Sequence, residues 1–124
     1  MKRTVVAITN RLVAEAVVHA LKKAGFSVQR CASQLIGEIL TLANSIFANL
    51  LVTRSENGSF DMRMDAAEEA KRQNPDIKVA LLCDNVSDEG IAEKVKRAKE
   101  DGKIDAFFYE SVPSDYMTAV LDSL

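Results

Sequence analysis

The chain has no tryptophan, one histidine, two prolines and two cysteines, and each scarcity removes a class of protein. Cys31 and Cys83 stand far apart and without metal-ligand spacing. That pattern excludes a disulfide scaffold and fits a reduced, cytoplasmic protein. Basic excess is also missing: 16 Lys and Arg face 18 Asp and Glu, a net charge of −2. A nucleic-acid footprint needs the opposite balance, so no direct nucleic-acid binding is expected. Lys2 and Arg3 precede an apolar run, but Asn10 and Arg11 interrupt it too soon for a signal peptide. No stretch approaches the roughly 20 apolar residues of a membrane span. Internal repeats, low-complexity segments, linkers and a Gly-rich phosphate loop are absent too.

What is there is one domain's worth of alternating patterns. At 124 residues, 48% of them hydrophobic, the chain can bury roughly two thirds of its unfolded surface. Asn49 to Ser55 (NLLVTRS) is a short apolar run between polar bounds, which reads as a strand buried on both faces. Thr4 to Thr9, Phe26 to Cys31, Ile77 to Cys83 and Ile104 to Tyr109 read as four more strands. The second alternates more, as a strand near a sheet edge does.

Helical spacing fills the gaps. Asn10 can cap a helix whose Val13, Val17, Ala20, Leu21 and Ala24 share a face, with Gly25 ending it and His19 on the solvated side. Ser33 is a candidate cap for a helix from Gln34 to about Phe47 with a wide apolar arc that includes Leu35 and Phe47. A polar loop containing Gly58 leads to a third helix, starting at Asp61 or Asp65 and stopped by Asn74-Pro75, with Glu68 and Arg72 placed to pair. Ser87, Asp88 and Glu89 signal a fourth helix that turns Ile91, Val95 and Ala98 inward and ends at Gly102. Pro113-Ser114 opens a fifth, with Tyr116, Met117, Val120, Leu121 and Leu124 inside. Helix-length connections between strands imply parallel pairing.

The order βαβαβαβαβα, over essentially the whole chain, resembles the receiver domain of bacterial response regulators. Leu21 to Val28 looks like the receiver's first-helix exit, and Pro75 to Leu82 like its entry to strand four. Asp105 to Glu110 is similar to the fifth strand of receivers that precede helix-turn-helix domains. The resemblance implies a flavodoxin-like (βα)5 three-layer sandwich, with a five-stranded parallel sheet in the order 2-1-3-4-5. It also implies where phosphorylation chemistry would sit, and there the residues differ.

A working receiver carries two Mg²⁺-binding acids after strand one, an acceptor aspartate after strand three, a hydroxyl ending strand four and a lysine after strand five. Here the acids fall on Ile8 and Thr9, with Asn10 next, and the acceptor on Arg54, or on Thr53 or Ser55 if the register slips by one. The hydroxyl falls on Cys83, beside Asp84, and the lysine on Glu110 or Val112. Mg²⁺ wants anionic oxygens, and Ile8 and Thr9 bring none. A guanidinium stays protonated and cannot accept a phosphoryl group. The chain thus reads as a pseudo-receiver without metal or cofactor.

The expected function is signalling through protein contact, independent of phosphorylation, as the regulatory module of a transcriptional regulator; an enzyme is not expected. Tyr109 falls at the family's switch-aromatic position, where packing is the plainer role. Glu93, Lys94, Arg97 and Tyr116 are candidates for contact with a partner or second copy, on the face of helix four, strand five and helix five. A rival reading is a small-molecule anion sensor with Arg54 and Arg11 around the crevice, helped by the first helix's amino end. A weaker one is a thiol enzyme on Cys83, which has no base near it in sequence.

Overall fold

The structure is a computed structural model that describes residues 2–55, 59–84 and 90–124. Strands and helices alternate along them: β1 (Arg3–Ala7), α1 (Arg11–Lys23), β2 (Ser27–Cys31), α2 (Ile36–Ser45), β3 (Leu50–Ser55), α3 (Phe60–Gln73), β4 (Lys78–Cys83), α4 (Ile91–Glu100), β5 (Ala106–Tyr109) and α5 (Ser114–Ser123). Every strand pairing is parallel and the sheet order is β2-β1-β3-β4-β5. This is the flavodoxin-like sandwich with β3 at its centre.

Because both faces of the sheet are covered, alternate strand residues feed two cores. On one side Val5, Leu51, Val79 and Leu81 pack with Ile39, Ala67 and Val95 from α2, α3 and α4. On the other Val6, Val52, Ala80 and Phe108 pack with Val17, Leu21, Met117 and Leu121 from α1 and α5. Leu21, Ile39, Leu51, Leu81 and Leu121 are at most 1% exposed, and burying such a side chain stabilises by about 2 kcal/mol.

Three helices end in the same Schellman turn, in which two successive backbone N–H groups reach back three and five residues. After α1, Gly25 donates to Lys22 O and Phe26 to Leu21 O; after α4, Gly102 donates to Lys99 O and Lys103 to Ala98 O. After α2, Phe47 donates to Asn44 O and Ala48 to Ala43 O. The turn needs a left-handed residue at its pivot, and Gly25 (φ 95°) and Gly102 (φ 77°) take it without cost. Phe47 takes it at φ 54°, which costs about 1–2 kcal/mol, and the residue is 78% exposed.

Several sequence expectations are corrected. Phe47 belongs to that turn, outside the apolar arc, and Leu35 is likewise exposed. Ser33 does not cap α2: its Oγ accepts from the Leu35 N–H in a local turn, and the helix begins at Ile36. Arg72 pairs with Glu69, one helical step nearer than Glu68, and Gln73 donates to the same carboxylate. Tyr116 is 60% exposed and not part of the inner face of α5, and Ala24 is exposed at the end of α1. α3 starts at Phe60, before Asp61. The expected cap at Ser87 with Asp88 and Glu89, and the Gly58 loop, lie outside the described residues. Asn10 does cap α1, its Oδ1 accepting from Val13 N–H at 3.1 Å.

Candidate functional site

The strand order puts the carboxyl ends of β1, β3, β4 and β5 at one crevice, the place where wound α/β folds bind and react. Pairing carries backbone groups past the strand ends there. Asp84 N–H donates to Ser55 O, and Glu110 N–H donates to Cys83 O, each at 3.2 Å. These two bonds hold Asp84 and Glu110 on either side of the residue that β3 delivers, Arg54.

Arg54 is 6% exposed. Its Nε donates to Glu110 Oε1, and its Nη2 lies 3.9 Å from Asp84 Oδ2. The two carboxylates are 31% and 23% exposed, so one buried cation is shared between two half-solvated anions. A buried guanidinium without such partners would be prohibitively desolvated, and with them it becomes a strut between β3 and the turn after β5. A second buried arginine, Arg63 on α3, donates from Nε to Arg54 O at 3.0 Å. It fastens the backbone of the same residue.

The β1 side of the crevice is closed differently. Ile8 is fully buried in the apolar layer under α1 and α5. A third arginine, Arg30 on β2, donates from Nη2 to Ile8 O at 3.3 Å and to Thr9 O at 3.2 Å. Gln34 donates to Thr9 Oγ1. The two carbonyl oxygens that follow β1 are thus taken by a cation. Thr53, beside Arg54, spends its hydroxyl on Ala7 O at 2.9 Å.

Among the described residues this donor set does not fit Mg²⁺. The carboxylates described here, Asp84 and Glu110, both face a guanidinium, and the β1 corner offers apolar or already bonded groups. Nor do the described residues converge on an anion site. Arg54 is turned inward onto two acids, and Arg11 is a solvent-facing residue bonded to Glu15 at 2.9 Å. That contact, first by hydrogen bond and then by charge, holds the Arg11 guanidinium above its ordinary range. Among the described residues Arg11 thus turns its charge to Glu15 and Arg54 to Glu110 and Asp84, an arrangement that does not favour the anion sensor.

Of the two candidate counterparts of a lysine, Glu110 is the one that meets Arg54. Val112, the alternative counterpart of a lysine, lines an apolar cavity of about 320 Å³ between α1 and α5, next to Leu12 and Met117. Ser55 is fully buried, and its hydroxyl has no hydrogen-bond partner among the described residues. Cys83 is likewise fully buried, as an inert cysteine would be. Tyr109 is half-buried, its ring set edge-on to Phe107 with centroids 6.1 Å apart. Glu93, Lys94 and Arg97 line the exposed side of α4, and Lys94 Nζ lies 5.9 Å from the centre of the Phe60 ring. Arg30, Gln34 and Arg63 escape sequence reasoning. For Arg63 a signal existed: it falls three residues after Phe60 and three before Ala66, on the inward face of α3.

The fold recurs among solved structures. A CheY-like response regulator receiver domain protein from Methanospirillum hungatei JF-1 superposes with a TM-score of 0.78 at 16% identity, over 99% of this chain and 92% of that one. A response regulator from Desulfuromonas acetoxidans gives 0.72 at 17%, over 99% and 95%. The regulatory domain of the repressor of iron transport regulator, in its inactive form, gives 0.73 at 18%, over 99% and 94%. No protein-family model matches the chain, and no curated protein matches it in sequence.

Proposed function

We propose that this chain is a receiver-like signalling domain that works without phosphorylation, by binding protein, as the regulatory module of a transcriptional regulator. The observation that carries the reading is Arg54 held between Glu110 and Asp84. In the receiver pattern the same two places hold an aspartate and a lysine. Here the signs are exchanged, so a pair bridges β3 and the end of β5, and the acceptor position carries a guanidinium, which cannot take up a phosphoryl. One solved neighbour is itself a regulatory domain of a repressor, which supports the regulatory setting. The domain acts in the cytoplasm, without cofactor and without catalysis.

The contact surface is the face of α4, β5 and α5. β5 is an edge strand, and beside it Phe107, Tyr109, Pro113 and Tyr116 line a groove of about 640 Å³. Tyr116 stands out from this face, its ring edge-on to Phe108. Lys94, Arg97 and Glu93 add mixed charge along α4, which favours specific pairing over indiscriminate sticking. The occupant is a protein partner or a second copy.

Incubation with acetyl phosphate and Mg²⁺, followed by intact-mass spectrometry, tests the phosphorylation step. No adduct is expected, and beryllofluoride with Mg²⁺ should leave the amide NMR spectrum unchanged. An adduct, or saturable shifts around Arg54, would overturn the proposal.

A further inference from the structure

The third Schellman turn is the odd one. The protein uses glycine at the pivot after α1 and α4, so its own sequence shows the unstrained solution. After α2 it places Phe47 there, in a backbone conformation that bulky residues avoid, and leaves the ring in water. Packing within the chain does not account for this, because a residue so exposed packs little. Strain kept without a folding benefit points to a role outside the fold.

Phe47 also lines a groove of about 560 Å³ at the amino end of the sheet, far from the Arg54 crevice. Leu40, Ala43, Ala70 and Ile77 supply its apolar lining. Arg3 and Asp76, both exposed, also line it with opposite charge, and Arg3 Nε donates to Phe47 O at 2.8 Å, tying one rim to the turn. A knob, a hole and two opposite charges on one patch are what an isologous interface needs, since a two-fold axis presents each feature to its complement.

We propose that this patch pairs two copies of the chain, each Phe47 ring seating in the groove of the other and each Arg3 facing the other's Asp76. An aromatic anchor entering an apolar pocket inside a polar rim is the usual anatomy of such contacts. This interface lies apart from the face of α4, β5 and α5, and stands or falls independently of it.

Sedimentation velocity over a concentration series, with thermal unfolding of the same samples, tests the proposal on the 124-residue chain. The wild type is expected to associate reversibly. Phe47→Gly should weaken association at least tenfold and, at dilutions where the wild type is monomeric, raise the Tm by about 3 °C, because it relieves the turn. A residue kept for folding would lower the Tm instead. Arg3→Glu and Asp76→Arg should each weaken pairing, and the double variant should recover it. A wild type that stays monomeric to about 1 mM overturns the proposal. So does association unchanged in Phe47→Gly, a lower Tm of that variant at those dilutions, or association abolished by Lys94→Glu/Arg97→Glu.

Discussion

Glu110 follows β5, yet its carboxylate meets β3: reaching past the end of β4, it accepts from the Nε of Arg54. The strut joins the central strand to the turn that precedes α5, beside the surface proposed for protein contact.

Removing the cation should therefore be costly. Arg54→Ala is expected to lower unfolding free energy by about 2–3 kcal/mol, short of the full cost of breaking a buried pair because the orphaned carboxylates can reach water. Urea unfolding measures it. With Glu110→Ala, a double-mutant cycle should return a coupling of at least about 1 kcal/mol.

A second pin sits at the other end of the sheet. Asp105 Oδ2 accepts from Val79 N–H at 2.8 Å and from Lys71 Nζ at 2.7 Å, and Lys71 also donates to Ile77 O. Asp105→Ala leaves a backbone donor without its partner and should cost about 1–3 kcal/mol. Lys71→Met removes a partly exposed cation and should cost under about 1 kcal/mol. Equal costs in chemical denaturation would place the energy in the ion pair instead of the backbone bond.

Most of the architecture was legible because its signals are local. Buried parallel strands leave continuous apolar runs, and Asn10, Gly25 and Gly102 mark helix ends by their own chemistry. The exchange of charge at Arg54 and Glu110 was legible too, but only as an oddity of pattern. That the two side chains meet depends on β3 and β5 lying one strand apart, 56 residues distant in sequence. Arg30 and Arg63 were hidden for a related reason: each spends its guanidinium on a backbone carbonyl, which has no side-chain signature. Phe47 misled because an apolar residue at helical spacing looks like core, while the turn that expels it is a property of the backbone.

Acid should act on the surface of α3. Hydrogen bonds from Arg72 first, then Gln73, hold the Glu69 carboxyl below the ordinary range. A carboxyl depressed in the folded state contributes stability above its unfolded pKa and loses it as pH falls through the folded one. The stability gap between wild type and Glu69→Gln should be small at pH 7, shrink with salt and narrow as pH falls below the ordinary glutamate range. Urea midpoints at pH 7 and pH 3 check the sign.

On α4, Lys94→Glu/Arg97→Glu reverses two exposed charges without touching Ile91, Val95 or Ala98, so unfolding should move by less than about 0.5 kcal/mol. Any association through that face should fall, and calorimetry beside sedimentation separates the two effects.

The exchanged pair also bears on what mutation can reach. Arg54→Asp alone would gather three carboxylates in one crevice, with Asp84 and Glu110 already there. Glu110→Lys alone would set an ammonium against the Arg54 guanidinium. Each single step toward the aspartate-and-lysine arrangement crosses a destabilised form, and the two together still leave Ile8 and Thr9 without acids. The strut works as a ratchet: charges that suit each other in pairs hold the chain to its present chemistry more firmly than either residue could by itself.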